Sequence, residues 1–320
     1  MATALLFDRD RVDELEDWDG RLPRLGRSSL VWIDLLSPDA EEIDRLVDLL
    51  GLDPETGERL GEPGEAPRFS DHGSYLHVTA YAPSGARDRT LQRVGCLVSE
   101  RWVVTVHDGP LAVLETFRER ASGSGATGHL EGPEFLANIL EWVLQSYLAA
   151  FEEIERSLEE IDALAMRGEV EGEERALERL VELRREIGRL RRALTSHREP
   201  ILALTRPELE AIASSGAARR FEDLRARLEE GVQAARDSRE AVVGSFDLLI
   251  ASTGHRTNEI VKVLTLASVL LLPGALVAGV LGMNFDLGIF ENTTYFWVVV
   301  TAIAGLAAAT LVAARMRHWI

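Results

Sequence analysis

The strongest constraint on this chain sits in its last 58 residues, where charge all but disappears. Residues 263–283 are 21 consecutive positions without a charged side chain, and residues 295–314 are 20 more. A helix rises about 1.5 Å per residue and a bilayer hydrocarbon core is about 30 Å thick, so each run is long enough to cross it. Core helices of soluble proteins keep a polar face, and neither run has one. Two transmembrane helices are therefore expected, and a wholly soluble protein is excluded. Composition alone hides this: 320 residues at 46% hydrophobic and 28% charged look ordinary. The net charge of −18 is uneven, with 41 of the 53 acidic side chains in residues 1–200 and two in residues 263–320.

An acidic body does not suit nucleic acid, since phosphate binding needs a basic face. Cations are the better electrostatic match, although most of these carboxylates serve to keep a large body solvated. The single cysteine, Cys96, lies in an apolar run and reads as a buried small residue in a reducing compartment. The first 20 residues have neither the apolar stretch of a signal peptide nor the acid-poor character of a transit peptide. Arg256 and Lys262 precede the first run, Arg315, Arg317 and His318 follow the second, and the linker holds only Asp286 and Glu291. The positive-inside rule then puts both termini in the cytosol and the linker outside.

Texture divides the body. Residues 4–7, 30–36, 75–81, 94–98 and 102–106 are rich in Val, Ile and aromatics and read as strands. A helix is expected to open at Ser37-Pro38-Asp39-Ala40-Glu41, with Ser37 as cap, and to end near Gly51. Residues 1–128 thus form an α/β domain, its sheet either parallel or mixed. Beyond the Gly/Ser-rich break at 122–128 the pattern is helical. Residues 129–216 form a helical segment, in which Leu177, Leu180, Leu183, Ile187, Leu190 and Leu194 are spaced for helix-on-helix packing. From Ala217 no proline occurs until Pro273, inside the first apolar run. A single helix over 217–281 would be about 97 Å long, roughly twice a whole bilayer, so a stalk over 217–262 must run from the cytosol into the span at 263–283. An external loop at 284–294, a second span at 295–314 and a basic tail at 315–320 complete the division.

Gly282-Met283-Asn284-Phe285 closes the first span where it meets outside water. An Asn at that depth needs a polar partner or a water-filled lumen. Amide oxygens from several subunits can contact a hydrated cation, which suits magnesium because that ion gives up its water reluctantly. An Asn that merely caps the helix end is the competing reading.

Context decides between them. The Gly-Met-Asn at the end of the first of two C-terminal spans, a short linker, a second span and a basic stub resemble the CorA-type magnesium transport family. The stretch from Thr257, Asn258 and Glu259 to Thr265, the mid-span Pro273, and Gly279-Val280-Leu281-Gly282-Met283-Asn284-Phe285 are also similar to that family. The resemblance is specific over residues 255–290 and architectural before about 215. It implies a funnel-shaped homopentamer: an α/β cytosolic domain, a long stalk helix and a two-span all-α membrane domain, in contact with lipid. It also implies that Gly282, Met283 and Asn284 form the outer selectivity filter. Asn258 would then give a second polar ring, with Val261, Leu264, Leu272 and Gly279 lining the pore between them. Asp247 and Asn258 are 11 residues apart, about three turns, and share a helix face. In the family, divalent ions bound between cytosolic domains hold the pore shut. Asp223 and Asp247 stand where such regulatory acids belong, against the competing reading of stalk carboxylates paired with Arg220, Arg225 or Arg227.

Two departures from the family pattern concern the cargo. Leu281 stands where an aromatic residue commonly precedes the motif, and the linker lacks a Met-Pro-Glu-Leu type sequence, although Asp286 and Glu291 keep it acidic. Magnesium is expected, with zinc transport of the ZntB type, cobalt or nickel as alternatives. From a different class, a membrane-anchored coiled coil is the competing reading, but an anchor has no use for Asn258 and Asn284 at opposite ends of one span. His72, His77, His107 and His129 show no ligand spacing, and no phosphate-cradling loop is present, so neither a catalytic residue nor a nucleotide partner is expected.

Overall fold

The computed structural model describes residues 2–8, 11–15, 26, 29–62, 66–85, 87–112, 114–116, 118, 131–167, 170–209, 212, 215–282 and 293–316. Strands β1 (Ala2–Asp8), β2 (Arg11–Glu14), β3 (Ser29–Leu36), β4 (Arg68–Asp71), β5 (Leu76–Pro83), β6 (Leu91–Val98) and β7 (Trp102–His107) form one sheet in the order β2-β1-β3-β7-β6-β5-β4. The sheet is mixed: β3 runs parallel to β7, and the other pairings are antiparallel. Helices α1 (Ala40–Leu50) and α2 (Pro54–Gly61) follow β3.

Strand β3 reads as a nearly continuous apolar run because both of its faces are covered. Val31, Ile33 and Leu35 join Ile43 and Leu46 of α1, Leu60 of α2 and Val104 and Val106 of β7 in one buried cluster. Successive side chains of a strand alternate between faces. Accordingly Trp32 points the other way, where its ring lies 5.4 Å from that of Phe135, which also packs 5.8 Å from Phe7. Phe135 belongs to α3 (Gly132–Arg167), so helices cover both faces of the sheet. Each fully buried large side chain of this kind contributes about 1.5–3 kcal/mol.

The first helix does not take Ser37 as its cap. Asp39 caps it, accepting from the Glu42 N–H while the Glu42 carboxylate accepts from the Asp39 N–H, and Gly51 ends it in the left-handed region. Ser37 is instead turned to φ +47° and held there, its N–H donating to the His107 carbonyl and its hydroxyl to the Asp108 carbonyl.

Helices α4 (Val170–Ser196), α5 (Arg198–Leu204), α6 (Ala218–Leu281) and α7 (Thr293–Met316) complete the chain. The chain divides into two compact units, one of Met1–Ala163 with Arg175–Phe246, the other of Leu164–Glu174 with Asp247–Ile320. In the first unit Phe221, Leu224, Leu228, Val232 and Ala235 form a buried stripe on α6 at helical spacing. On α4, Leu180, Leu183, Ile187, Leu190 and Leu194 are buried as their spacing predicts, whereas Leu177 is 46% exposed. Helix α3 runs parallel to α6, since Arg220 meets Asn138 and Arg227 meets Gln145 at the same offset of 82 residues. Helix α4 runs antiparallel to α6: Leu194 lies against Gly231, and Arg198, which opens α5 just beyond α4, pairs with Glu229.

The second unit holds two helices long and apolar enough to cross a membrane. Their large side chains face outward, Leu271 71%, Leu276 70% and Trp297 61% exposed. Gly274 lies where the two helices meet: a methyl built there would sit 3.4 Å from the Ile303 side chain, an ordinary van der Waals contact. The hydroxyls of Thr265, Ser268, Thr301 and Thr310 donate to carbonyls one turn back, so apolar surroundings leave none of them unsatisfied.

Candidate functional site

Helix α6 carries most of the residues that the sequence singles out. At about 100° per residue, Asp247, Asn258, Val261, Leu264, Leu272, Gly279 and Gly282 fall within an arc of about 120°. Asn258, Val261, Leu264, Leu272 and Gly279 are all exposed on that face, Val261 at 52% and both leucines at 65%. The helix passes through Pro273 without ending, and the Gly282 N–H still donates to the Ala278 carbonyl. Met283, Asn284, Asp286 and Glu291 lie outside the described residues.

Near the start of the arc, α6 is tied to the segment Leu164–Glu174. Arg256 approaches Glu173 at 3.6 Å and the Thr253 hydroxyl donates to the same carboxylate at 3.4 Å. Asp247 and Asn258 stay exposed on either side of this contact. No sequence signal linked Glu173 to the stalk, because 80 residues separate it from Thr253.

Asp223 is placed elsewhere, in the first unit. It lines a groove of about 390 Å³ with Ala137 and Glu141 of α3 and Arg220, Arg227 and Glu230 of α6. The expected neutralising partners are engaged by other groups. Arg220 donates to Asn138 at 2.6 Å, Arg225 pairs with Glu222 at 3.0 Å, and Arg227 pairs with Glu141 at 3.1 Å. Among the described residues, neither the Asp223 nor the Asp247 side chain makes an ion pair or hydrogen bond. Both are thus exposed carboxylates with free oxygens, the state a cation ligand requires.

His197 and His107 are hydrogen-bonded into the fold. His197, between α4 and α5, is fully buried. Its Nδ1 donates to the Ala193 carbonyl at 2.7 Å and its Nε2 accepts from the Tyr81 N–H at 2.9 Å. Both nitrogens are used by the neutral ring, and burial pushes its pKa down to about 4. His77 is also lowered to about 4, by burial and then by His72 and nearby arginines. For His107, burial opposes the cation, but the Asp34 carboxylate at 3.2 Å and the Gly109 carbonyl outweigh it and raise the pKa. His129 lies outside the described residues. Cys96 is buried and its thiol is pushed up to about 12 by desolvation, as an inert core residue should be. Among the described residues, no group of three or more His, Cys, Asp or Glu side chains converges to hold a metal.

The model of the CorA-like Mg2+ transporter family matches residues 27–316. This chain belongs to that family. A CorA relative, the cobalt/magnesium transport protein of Methanocaldococcus jannaschii, is 23% identical over 313 residues, covering 97% of this chain and 95% of that protein. The complete structure of the CorA magnesium transporter from the same organism matches with a TM-score of 0.78 at 20% identity, over 100% of this chain and 99% of that one. The ZntB cytoplasmic domain from Vibrio parahaemolyticus matches more distantly, with a TM-score of 0.63 at 11% identity, over 79% of this chain and 98% of that one. As a CorA-family member, the chain is a membrane protein whose two C-terminal apolar helices are its spans.

Proposed function

We propose that this CorA-family chain is a divalent-cation channel that takes up magnesium across the cell membrane, with both termini cytosolic. The working unit is a homopentamer in which α6 of each subunit faces a central pore and α7 contacts lipid. One observation carries the reading: a single arc of α6 presents Asn258, then the apolar Val261, Leu264 and Leu272, then Gly279 and Gly282, within a run that has no charge from Val263 onward. An anchor helix gains nothing from that order, whereas a pore needs it.

In this reading Asn284, with Gly282 and Met283, contacts the hydration shell of the entering ion, and Asp286 and Glu291 concentrate cations at the outer mouth. Val261, Leu264 and Leu272 close the pore by dewetting, which needs no charged gate. A divalent ion gains about 4.6 kcal/mol per 100 mV on entering a negative interior, so flux needs no nucleotide. Asp223 and Asp247 are the regulatory ligands. Cytosolic magnesium bound to them in the closed state shifts the population toward closure, and its loss opens the pore.

The test is flux into liposomes with a panel of magnesium, cobalt, nickel and zinc. Magnesium is expected to permeate, and Asn284→Ala to abolish uptake while the oligomer still assembles. Unchanged uptake by that variant would remove the filter role. The likeness to a ZntB domain is the reason zinc belongs in the panel, and zinc flux without magnesium flux would replace the cargo assignment.

A further inference from the structure

The geometry points to an anion-binding site for a polyphosphate in a groove between α4 and α6. Arg191 of α4 and Arg236, Arg239, Glu240 and Val243 of α6 line a groove of about 350 Å³, three cationic side chains against one carboxylate. Some arginines of this acidic protein are neutralised, as Arg89 is by Glu186, Arg93 by Asp108, Arg179 by Glu182 and Arg198 by Glu229, whereas Arg184, Arg185, Arg189 and Arg192 of α4 make no ion pair among the described residues. Among the described residues, Arg191, Arg236 and Arg239 make no ion pair, and Arg236 has only a long bond to Gln233 at 3.4 Å. The surrounding sequence is equally lopsided, with six arginines and one acidic residue between positions 184 and 198.

The scaffold beneath these side chains is rigid. Arg191 stands between the buried Leu190 and Leu194, and Arg236 and Arg239 flank the fully buried Ala235 and Ser238. Three arginines carried on two packed helices therefore line one concave space, and guanidinium groups are suited to bind phosphate oxygens in a bidentate way. A chain of three phosphates carries enough oxygens and enough charge to engage all three forks together. A lipid headgroup does not fit, because Arg239 lies 24 residues, about 36 Å of helix, before the first apolar run.

Binding is measured by titrating the purified full-length protein with sodium triphosphate in divalent-free buffer, at two salt concentrations. Saturable binding that weakens with salt is expected, as for any charge-driven site. The double variant Arg191→Ala, Arg239→Ala is expected to bind at least about tenfold more weakly. Arg179→Ala, which removes a paired arginine of the same helix, is expected to bind as the wild type does. Absence of saturable binding to the wild type, or equal binding by the double variant, would overturn the site. So would a double variant that changes the oligomer mass in light scattering while wild-type protein takes up no triphosphate, since the patch would then be a subunit contact. The measurement involves no ion flux and stands apart from the identity of the transported ion.

Discussion

Gly132 opens α3 so close to the turn between β6 and β7 that a methyl group there would stand 1.8 Å from the Ser99 carbonyl oxygen. The backbone has to move to admit any side chain. Gly132→Ala is therefore expected to lower stability by about 1–3 kcal/mol in thermal unfolding of the full chain. Gly244, in α6, has nothing within 4 Å, so Gly244→Ala is expected to be neutral or stabilising by under about 1 kcal/mol. Equal effects from the two substitutions would refute the contact argument. His197 makes a second residue-scale prediction. Its folded pKa, about 4, lies below the unfolded value of 6.5, so the unfolded chain takes up a proton that the folded chain refuses. Its contribution is intact above about pH 6.5 and declines as pH falls toward 4, by roughly 3 kcal/mol in all. His77 acts in the same direction. His197→Gln is expected to flatten part of the acid side of a melting-temperature profile, and an unchanged profile would show that the titration lies elsewhere.

Among the elements, α1 shows how far local sequence reads. Its end at Gly51 was legible, because a left-handed C-terminal residue favours glycine. Its start was legible to within two residues: Ser37 and Asp39 are both capping types, and only the path of β3 into the sheet decides which one faces the first turn. Asp39→Ala removes the carboxylate that accepts from the Glu42 N–H and leaves only the bond from the residue 39 N–H to the Glu42 carboxylate, and a loss of about 1 kcal/mol in thermal unfolding is expected. Ser37→Ala leaves the box untouched, so a larger loss from it than from Asp39→Ala would reverse the assignment. Helix α6 was legible over nearly its whole length, from the absence of proline and the apolar run. Leu177 shows the limit, since its spacing matches the buried leucines of α4 yet it stays exposed. Periodicity fixes which residues share a face, and tertiary packing decides which part of that face is covered.

At the scale of the whole molecule, the proposed regulation rests on Asp223 and Asp247, which lie in different compact units of the chain. Limited proteolysis of the full-length protein is expected to show protection in millimolar magnesium, and that protection is expected to shrink in Asp247→Ala. Identical digestion of the two proteins would take Asp247 out of the sensor. The sequence by itself determined the two spans, the acidic body, the α/β-then-helical order and the polar and apolar sequence along one face of α6. These follow from charge, hydrophobicity and helical period, which are properties of neighbouring residues. Only the tertiary structure decided that the sheet is mixed, that Arg220 and Arg227 turn to Asn138 and Glu141 instead of Asp223, and that Arg191 meets Arg236 and Arg239 across a groove. Each of these joins residues tens of positions apart, and the register of packed strands and helices, which sets such pairings, leaves no mark on any local stretch of sequence.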